Sequence, residues 1–494
     1  MREIPIEQKR FKCKACNTVT TVLKGTVKKG VFTCPFCNYS EKITALTKIG
    51  LPISKKLFAL EYVDTARNRV FSKIKSEDLR RLEEAIEKFE GEKLSLQYPK
   101  DPIPSNGRSD RRPITHGYQY YSHLFNKRQL LCLSLLYSRI NKVEDQNVKE
   151  NLLLAFSDSL ASNNMMCGYA FGYRKLTPLF SIHSYRPVSR PVEGNVWGTT
   201  FGRASFIKCI NKLVRAKEYA DNPYEFKYSE NNRKHKKVYV NYPIHGKVAT
   251  DVADWLKGDF QSLILNKDST EIDSIPSNSV DLIITDPPYY DNLAYSELSD
   301  FYYVWLKMEI VNTYPNLFNV DSTPFNETIM VRKHTEDEHN RYIEGISEVF
   351  INCARILKDD GVMVFTYHHK KWKAWLALGQ SLFNSGFIIT NVFPIRSEGK
   401  SGFHSNSGNI KWDSVFVCRK GHFNRKIKPT INTILMQIEK SMDHWGQRFE
   451  KDNINLSKVE LESLKYSLVL YECSMGDILA EKLEDVFQAL KNDR

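Results

Sequence analysis

No stretch of this 494-residue sequence approaches the roughly 18 consecutive apolar residues of a membrane-spanning helix, so no membrane partner is expected. The opening Met1-Arg2-Glu3-Ile4 lacks the apolar core of a secretion signal. A disulfide framework is missing too: of ten cysteines, four stand in two C-x-x-C pairs and six are scattered singly. That usage suits metal binding in a reducing compartment, and a cytoplasmic location is expected. Acidic charge is in short supply, with 58 Asp and Glu against 71 Lys and Arg, a net charge of +13 and a pI near 9.0. Such a balance favours a polyanionic partner such as nucleic acid without naming one. The length accommodates roughly two to four domains.

The residues that are present converge on Ser279-Val280-Asp281-Leu282-Ile283-Ile284-Thr285-Asp286-Pro287-Pro288-Tyr289-Tyr290. The apolar, β-branched run Val280 to Ile284 predicts a buried parallel strand. Neither proline can donate to a ladder, so the strand stops there. In an open α/β sheet, ligands bind outside the carboxyl ends of the strands, which places Asp286 to Tyr289 where chemistry occurs. The Asp286 carboxylate and the Pro287 carbonyl can both accept hydrogen bonds from an exocyclic amine on a flat ring. Tyr289 offers a face on which that ring can stack. The competing reading of the tetrapeptide is a strand-ending turn with a surface acid.

Cys13-x-x-Cys16 and Cys34-x-x-Cys37 are separated by 17 residues, within the spacing of a four-cysteine zinc site. Lys24-Gly25 and Lys29-Gly30 supply turns between the pairs. With four sulfur ligands the expected role of Zn2+ is structural, since no position is left for a substrate. A redox pair is the alternative, and two matched pairs argue against it.

Ser76 to Glu90 reads as a helix with Ser76 as its N-cap, and Asp101 to Arg108 as a breaker-rich linker. The basic run Arg108 to Arg112 touches phosphates or is merely solvated. Helical patterns cover Leu124 to Val143 and Val148 to Met166. The tyrosines and arginines from Tyr169 to Arg203 suit either base stacking or packing on a core, and Gly168, Gly172, Gly198 and Gly202 sit in these aromatic-rich loops. Gly258-Asp259-Phe260 precedes the central strand; Asp259 is a turn acid or a contact at the end of a neighbouring strand. Asn292 to Lys307 is an aromatic helix whose Tyr295, Phe301 and Trp305 wall a pocket or fill a core. Further on, Glu338 to Leu357 and Ala374 to Asn384 read as helices; Val362 to His369, Phe387 to Phe393 and Val415 to Cys418 read as strands. His368 and His369 read as polar groups of a pocket. Residues 430 to 491 look helical.

Asp286-Pro287-Pro288-Tyr289 is the signature tetrapeptide of the amino-methyltransferases. From Cys13 to Lys420 the chain resembles the zinc-ribbon-containing, adenine-specific DNA methyltransferases. The resemblance rests on Gly25-Thr26-Val27-Lys28-Lys29-Gly30, Leu124-Phe125-Asn126-Lys127-Arg128-Gln129-Leu130-Leu131 and Asp286 to Asn292 with Tyr295 to Phe301. Thr366-Tyr367-His368-His369-Lys370 and Arg396-Ser397-Glu398 complete it. It implies an α/β fold with a Rossmann-like methyltransferase sheet, an N-terminal zinc ribbon and a helical C-terminal region. It also implies S-adenosyl-L-methionine as cofactor and double-stranded DNA as partner. Asp286, Pro287, Pro288 and Tyr289 take the catalytic roles, and Asp259, Phe260, Asp286 and Phe301 the cofactor contacts. The expected domains are a zinc ribbon at 1–50, a linker or insert at 51–115 and a helical, aromatic-rich region with DNA contacts at 116–250. The catalytic region follows at 251–425 and a helical region at 426–494. A restriction-modification or phage-defence setting is expected.

One departure stands against these matches. In the family, a strand and a glycine-rich turn that hold the methionine end of the cofactor lie upstream of the ribbon, and this sequence has no such segment there. A sheet without its first strands exposes a strand edge and an apolar face. The expectation is therefore a split enzyme, with a second subunit supplying the glycine-rich motif. Two other readings remain: an RNA base amino-methyltransferase, and a non-catalytic DNA-binding subunit of a methyltransferase complex.

Overall fold

The structure is a computed structural model that describes residues 10–21, 27–28, 31–42, 55, 57–188, 190–198, 205–229, 234–240, 242–324, 327–397, 410–421 and 428–492. The chain forms two compact units, Met1–Glu218 with Ser296–Thr323, and Tyr219–Tyr295 with Pro324–Arg494. Among the described residues no helix is long and apolar enough to cross a membrane.

The first unit opens with short antiparallel strands, Arg10–Lys12 against Val19–Thr21, and Val31–Thr33 between Val27–Lys28 and Ser40–Lys42. Each C-x-x-C closes into the same knuckle. Asn17 N donates to Cys13 O and Cys13 N to Thr18 O; Asn38 N donates to Cys34 O and Cys34 N to Tyr39 O. Asn17 and Asn38 both sit at φ 57°, a left-handed conformation that asparagine tolerates better than most residues. The expected turns at Lys24-Gly25 and Lys29-Gly30 lie outside the described residues.

Helices α1 (Ser76–Glu92), α2 (Lys127–Asn141), α3 (Gln146–Leu160), α4 (Phe206–Asp221) and α5 (Tyr295–Ile310) follow. Ser76 is the first helical residue of α1 rather than its cap, because the box closes one position earlier: Asp78 accepts from Lys75 N. Asn126 and Gln129 form a reciprocal capping box that starts α2 at Lys127, not at Leu124. From Ser296 onward α5 belongs to the first unit. Its Phe301 and Trp305 are fully buried, with Phe125 stacked on Phe301 and Phe156 edge-on to Trp305. The same helix carries two buried acids. Asp300 accepts from Tyr121 Oη and Thr323 N, and Glu297 accepts from Ser109 N, Ser109 Oγ and Asp110 N. Arg108 is neither solvated nor free for phosphate: it is buried over the Tyr185 ring, 3.6 Å from Glu297.

The second unit carries a two-stranded ribbon, β1 (Tyr224–Ser229) and β2 (Lys234–Tyr239), and a four-stranded sheet. The sheet is built from β3 (Val280–Thr285), β4 (Leu357–Tyr367), β5 (Phe387–Arg396) and β6 (Trp412–Lys420) in the order β3-β4-β6-β5. β3 and β4 are parallel, and β6 runs antiparallel to both its neighbours. Helices α6 (Glu336–Ile356) and α7 (Trp372–Asn384) connect β3 to β4 and β4 to β5. Three further helices, α8 (Ile431–Lys451), α9 (Lys458–Met475) and α10 (Leu483–Asn492), complete the helical C-terminal region. Phe350, Phe365, Trp375, Phe416, Tyr466 and Phe487 share one core with them. A Cβ at Gly379 would stand 2.5 Å from Leu470 and Leu483, so at this point α7 packs on α9 and α10 too closely for any side chain.

The central strand differs from the expectation of a fully buried strand. β3 is parallel, as its pattern predicts, but among the described residues it pairs only with β4 and forms one edge of the sheet. Ile283 packs against the core, whereas Leu282 and Ile284 on the opposite face are 51% and 74% exposed. The apolar run reflects a strand built to be covered on both faces, and here one face is bare. The result is a mixed α/β unit whose main sheet has four strands among the described residues, fewer than the Rossmann-like sheet implied by the resemblance.

Candidate active site

β3 ends at Thr285, and Asp286 to Tyr290 form a tight turn at its carboxyl end. Tyr290 adopts φ 53°, an outlier for a bulky residue that costs on the order of 1–3 kcal/mol. The surroundings hold it there. Tyr290 N donates to Pro288 O, Val331 N to Tyr290 O and Tyr342 Oη to Pro288 O, while Tyr290 Oη pairs with His339 Nδ1 at 2.8 Å.

This turn gives the two oxygens of Asp286 different environments. Oδ1 accepts from Tyr289 Oη at 2.6 Å and from Thr366 Oγ1 at 2.5 Å. Oδ2 and the Pro287 carbonyl have no partner among the described residues. Two open acceptors therefore stand on adjacent residues, one charged and one neutral. Burial, reinforced by Asp286, pushes the Tyr289 phenol well above its ordinary value, so it remains a donor. The Tyr289 ring is set by Tyr367 and His368, whose centroids lie 5.0 and 4.8 Å away.

Behind the turn are two further pairings. His368 Nδ1 meets Asp413 Oδ1 at 2.5 Å, which leaves Nε2 without a partner among the described residues. Asp291 gathers His369 Nε2 at 2.7 Å, Lys371 Nζ at 2.6 Å and His334 Nε2 at 3.3 Å. His369 Nδ1 accepts from Lys371 N, so its Nε2 carries the proton given to Asp291. Burial works against the charged form of Asp291, but His369 and Lys371 outweigh it and hold the carboxyl well below the usual range. The cluster ties the turn to the carboxyl end of β4.

The other expected site residues are placed differently. Asp259 follows Gly258 in an exposed turn, with Phe260 half-buried beside it, and Asp259 has no hydrogen bond to the Asp286 turn among the described residues. Phe301 lies in the core of the first unit, its ring against Phe125, Phe180 and Tyr302. Of the aromatic-rich stretch, Tyr185 is buried, while Phe171, Tyr173 and Trp197 are exposed. Thr199 to Arg203 and Glu398 lie outside the described residues.

The four cysteines do come together. Their Sγ atoms lie within 4.8 Å of one another, with Cys13 to Cys37 at 3.5 Å and Cys16 to Cys34 at 3.8 Å. Four thiolates at about 2.3 Å from a tetrahedral zinc would be separated by about 3.8 Å, so the set fits the ion.

Sequence reasoning missed the roles of Thr366, His368 with Asp413, and Asp291 with His369. The one local signal was at Thr366. It follows Val362 and Val364 on alternate positions of β4, a polar residue closing an apolar face at the carboxyl end of the strand.

Residues 280–490 match a family model described as DNA methylase, of the N6-adenine and N4-cytosine methyltransferase kind. The match begins at the first residue of β3 and ends within α10, so it covers the four-stranded sheet and the helices packed on it, somewhat under half of the chain. A search among curated proteins gives no match.

Proposed function

We propose that the chain is the catalytic, target-binding subunit of an S-adenosylmethionine-dependent DNA adenine N6-methyltransferase. The observation that carries this reading is the pair of open acceptors, Asp286 Oδ2 and Pro287 O, beside a locked Oδ1. Each accepts one hydrogen of an exocyclic amine, which turns the nitrogen lone pair out of the ring plane. The Asp286 charge stabilises the ammonium character that develops on that nitrogen. Tyr289 packs against the flipped base, and Pro288, whose carbonyl is held by Tyr342, keeps the turn rigid. S-adenosylmethionine, when bound, supplies an electrophilic methyl group on a sulfonium. Cys13, Cys16, Cys34 and Cys37 hold a structural Zn2+.

The bare face and open edge of β3 support the second half of the reading. An uncovered parallel edge strand with Leu282 and Ile284 exposed is unfavourable in water and suits a partner chain that adds strands there. That partner carries the glycine-rich, cofactor-holding motif and completes a Rossmann-like sheet.

The test is transfer of a labelled methyl group into duplex DNA, followed by digestion to nucleosides. N6-methyladenine with the native chain, and its loss in Asp286→Ala at unchanged zinc content, are expected. Label in N4-methylcytosine would move the reading to the other amine. Label in RNA alone would replace it.

A further inference from the structure

The β1–β2 ribbon has no role in the site just described, and its exposure is unusual. Its register sets Tyr224 opposite Tyr239, Phe226 opposite Lys237 and Lys227 opposite Lys236. Strand alternation therefore puts Tyr224, Phe226, Lys237 and Tyr239 on one face, and Glu225, Lys227, Lys236 and Val238 on the other. A two-stranded ribbon in water normally covers one face. Here Phe226 and Tyr239 are 58% and 64% exposed, and Lys227, Lys236 and Val238 on the opposite face are exposed as well. Tyr224 is half-buried, with Tyr219 edge-on at 5.1 Å and Lys237 Nζ 3.8 Å from its ring centroid.

The charges are as unusual as the exposure. Lys227 and Lys236 are direct cross-strand neighbours, an arrangement that destabilises a ribbon, and neither has an ion-pair partner among the described residues. From Lys227 to Lys237 the sequence holds Lys227, Arg233, Lys234, Lys236 and Lys237 against the single acid Glu230. A polyanion relieves that repulsion.

We propose that the β1–β2 ribbon is a duplex-DNA contact that enters the major groove. The groove of B-form DNA admits a two-stranded ribbon, whereas the deep, narrow major groove of A-form RNA does not. Each six-residue strand is about 20 Å long, enough to follow several base pairs. A membrane surface fits less well: it meets either the aromatic face or the Lys227–Lys236 face, while groove walls flank both. The choice of DNA rests on the methyltransferase reading; the need for a polyanion does not.

The test is fluorescence anisotropy of a labelled duplex with the full chain across a salt series. Two variants of equal charge are compared, K227Q/K236Q/K237Q and, on exposed helical or turn positions elsewhere, K440Q/K451Q/K482Q. The ribbon variant should bind roughly a hundredfold more weakly near 0.15 M salt, with a slope shallower by about 2.7, as expected for three lost phosphate contacts. The control should match the native chain, and all three proteins should melt alike. Equal losses in both variants, no loss in the ribbon variant, or no duplex binding by the native chain would each overturn the inference. So would ribbon-dependent binding to anionic vesicles or to duplex RNA with none to DNA. Methyl incorporation is scored separately. Ribbon-dependent binding without any incorporation sinks the methyltransferase reading and leaves the ribbon; incorporation with ribbon-independent binding does the reverse.

Discussion

At the scale of single residues, the site turns on how one carboxylate is divided. Tyr289 and Thr366 both give their hydroxyl protons to Oδ1 of Asp286, which fixes its plane and leaves Oδ2 for a ligand. Thr366→Val removes one of these charge-assisted bonds, about 1.5–3 kcal/mol when the acceptor is charged, and should lower kcat by about 10- to 100-fold. Single-turnover rates check this, with KM for DNA little changed. Tyr289→Phe loses the hydroxyl but keeps the ring, so Tyr289→Ala should cost more; equal losses in the two would remove the packing role. Asp291 gives a prediction of a different kind. Its carboxyl titrates near pH 3.9 in the unfolded chain and lower in the fold, because His369 and Lys371 favour the charged form. Its contribution to stability is complete above about pH 4 and is lost as the pH falls further, through the folded value. Asp291→Asn should flatten that acid limb in a series of melting temperatures against pH, and an unchanged limb would show that the cluster does not stabilise the turn.

At the scale of elements, local chemistry was legible where it is local. The two matched cysteine knuckles and the halt of β3 at Pro287-Pro288 lie within a few residues of sequence, whereas the Asn126–Gln129 box that starts α2 went unread although it is equally local. Pairings that join distant segments were not legible. His368 meets an aspartate 45 residues away, and Asp291 meets a histidine 78 residues away. Nothing short of the fold brings them together. Arg108 illustrates the same limit in reverse: a basic run reads as a surface feature until Glu297 and Tyr185 are seen to enclose its first member. The cysteine knuckles carry their own prediction. One zinc per chain should be released by chelation, and Cys34→Ser should abolish it; metal analysis that finds no zinc in the native protein would remove the ion from the account.

For the whole molecule, the informative feature is what the second unit leaves uncovered. Among the described residues the sheet ends at β3, and Leu282 and Ile284 on its outer face are exposed. The extent of the sheet was less legible, because the pattern of β3 alone does not say how many strands flank it. Ile284→Lys should leave the melting temperature within about 1 °C, since the side chain is exposed and surface substitutions are usually nearly neutral. The same change should weaken cofactor binding by the chain combined with the proteins encoded beside it, measured by calorimetry. Tight binding of S-adenosylmethionine by the lone chain, unaffected by Ile284→Lys, would dismiss the partner.

The most direct measurement is nucleoside analysis of DNA from cells that express the chain together with its chromosomal neighbours. N6-methyladenine should be present with the native protein and absent with Asp286→Ala produced at the same level. N6-methyladenine persisting in Asp286→Ala, or no methylated base in either, would contradict the assignment of Asp286 and Pro287 as the cradle of the target amine.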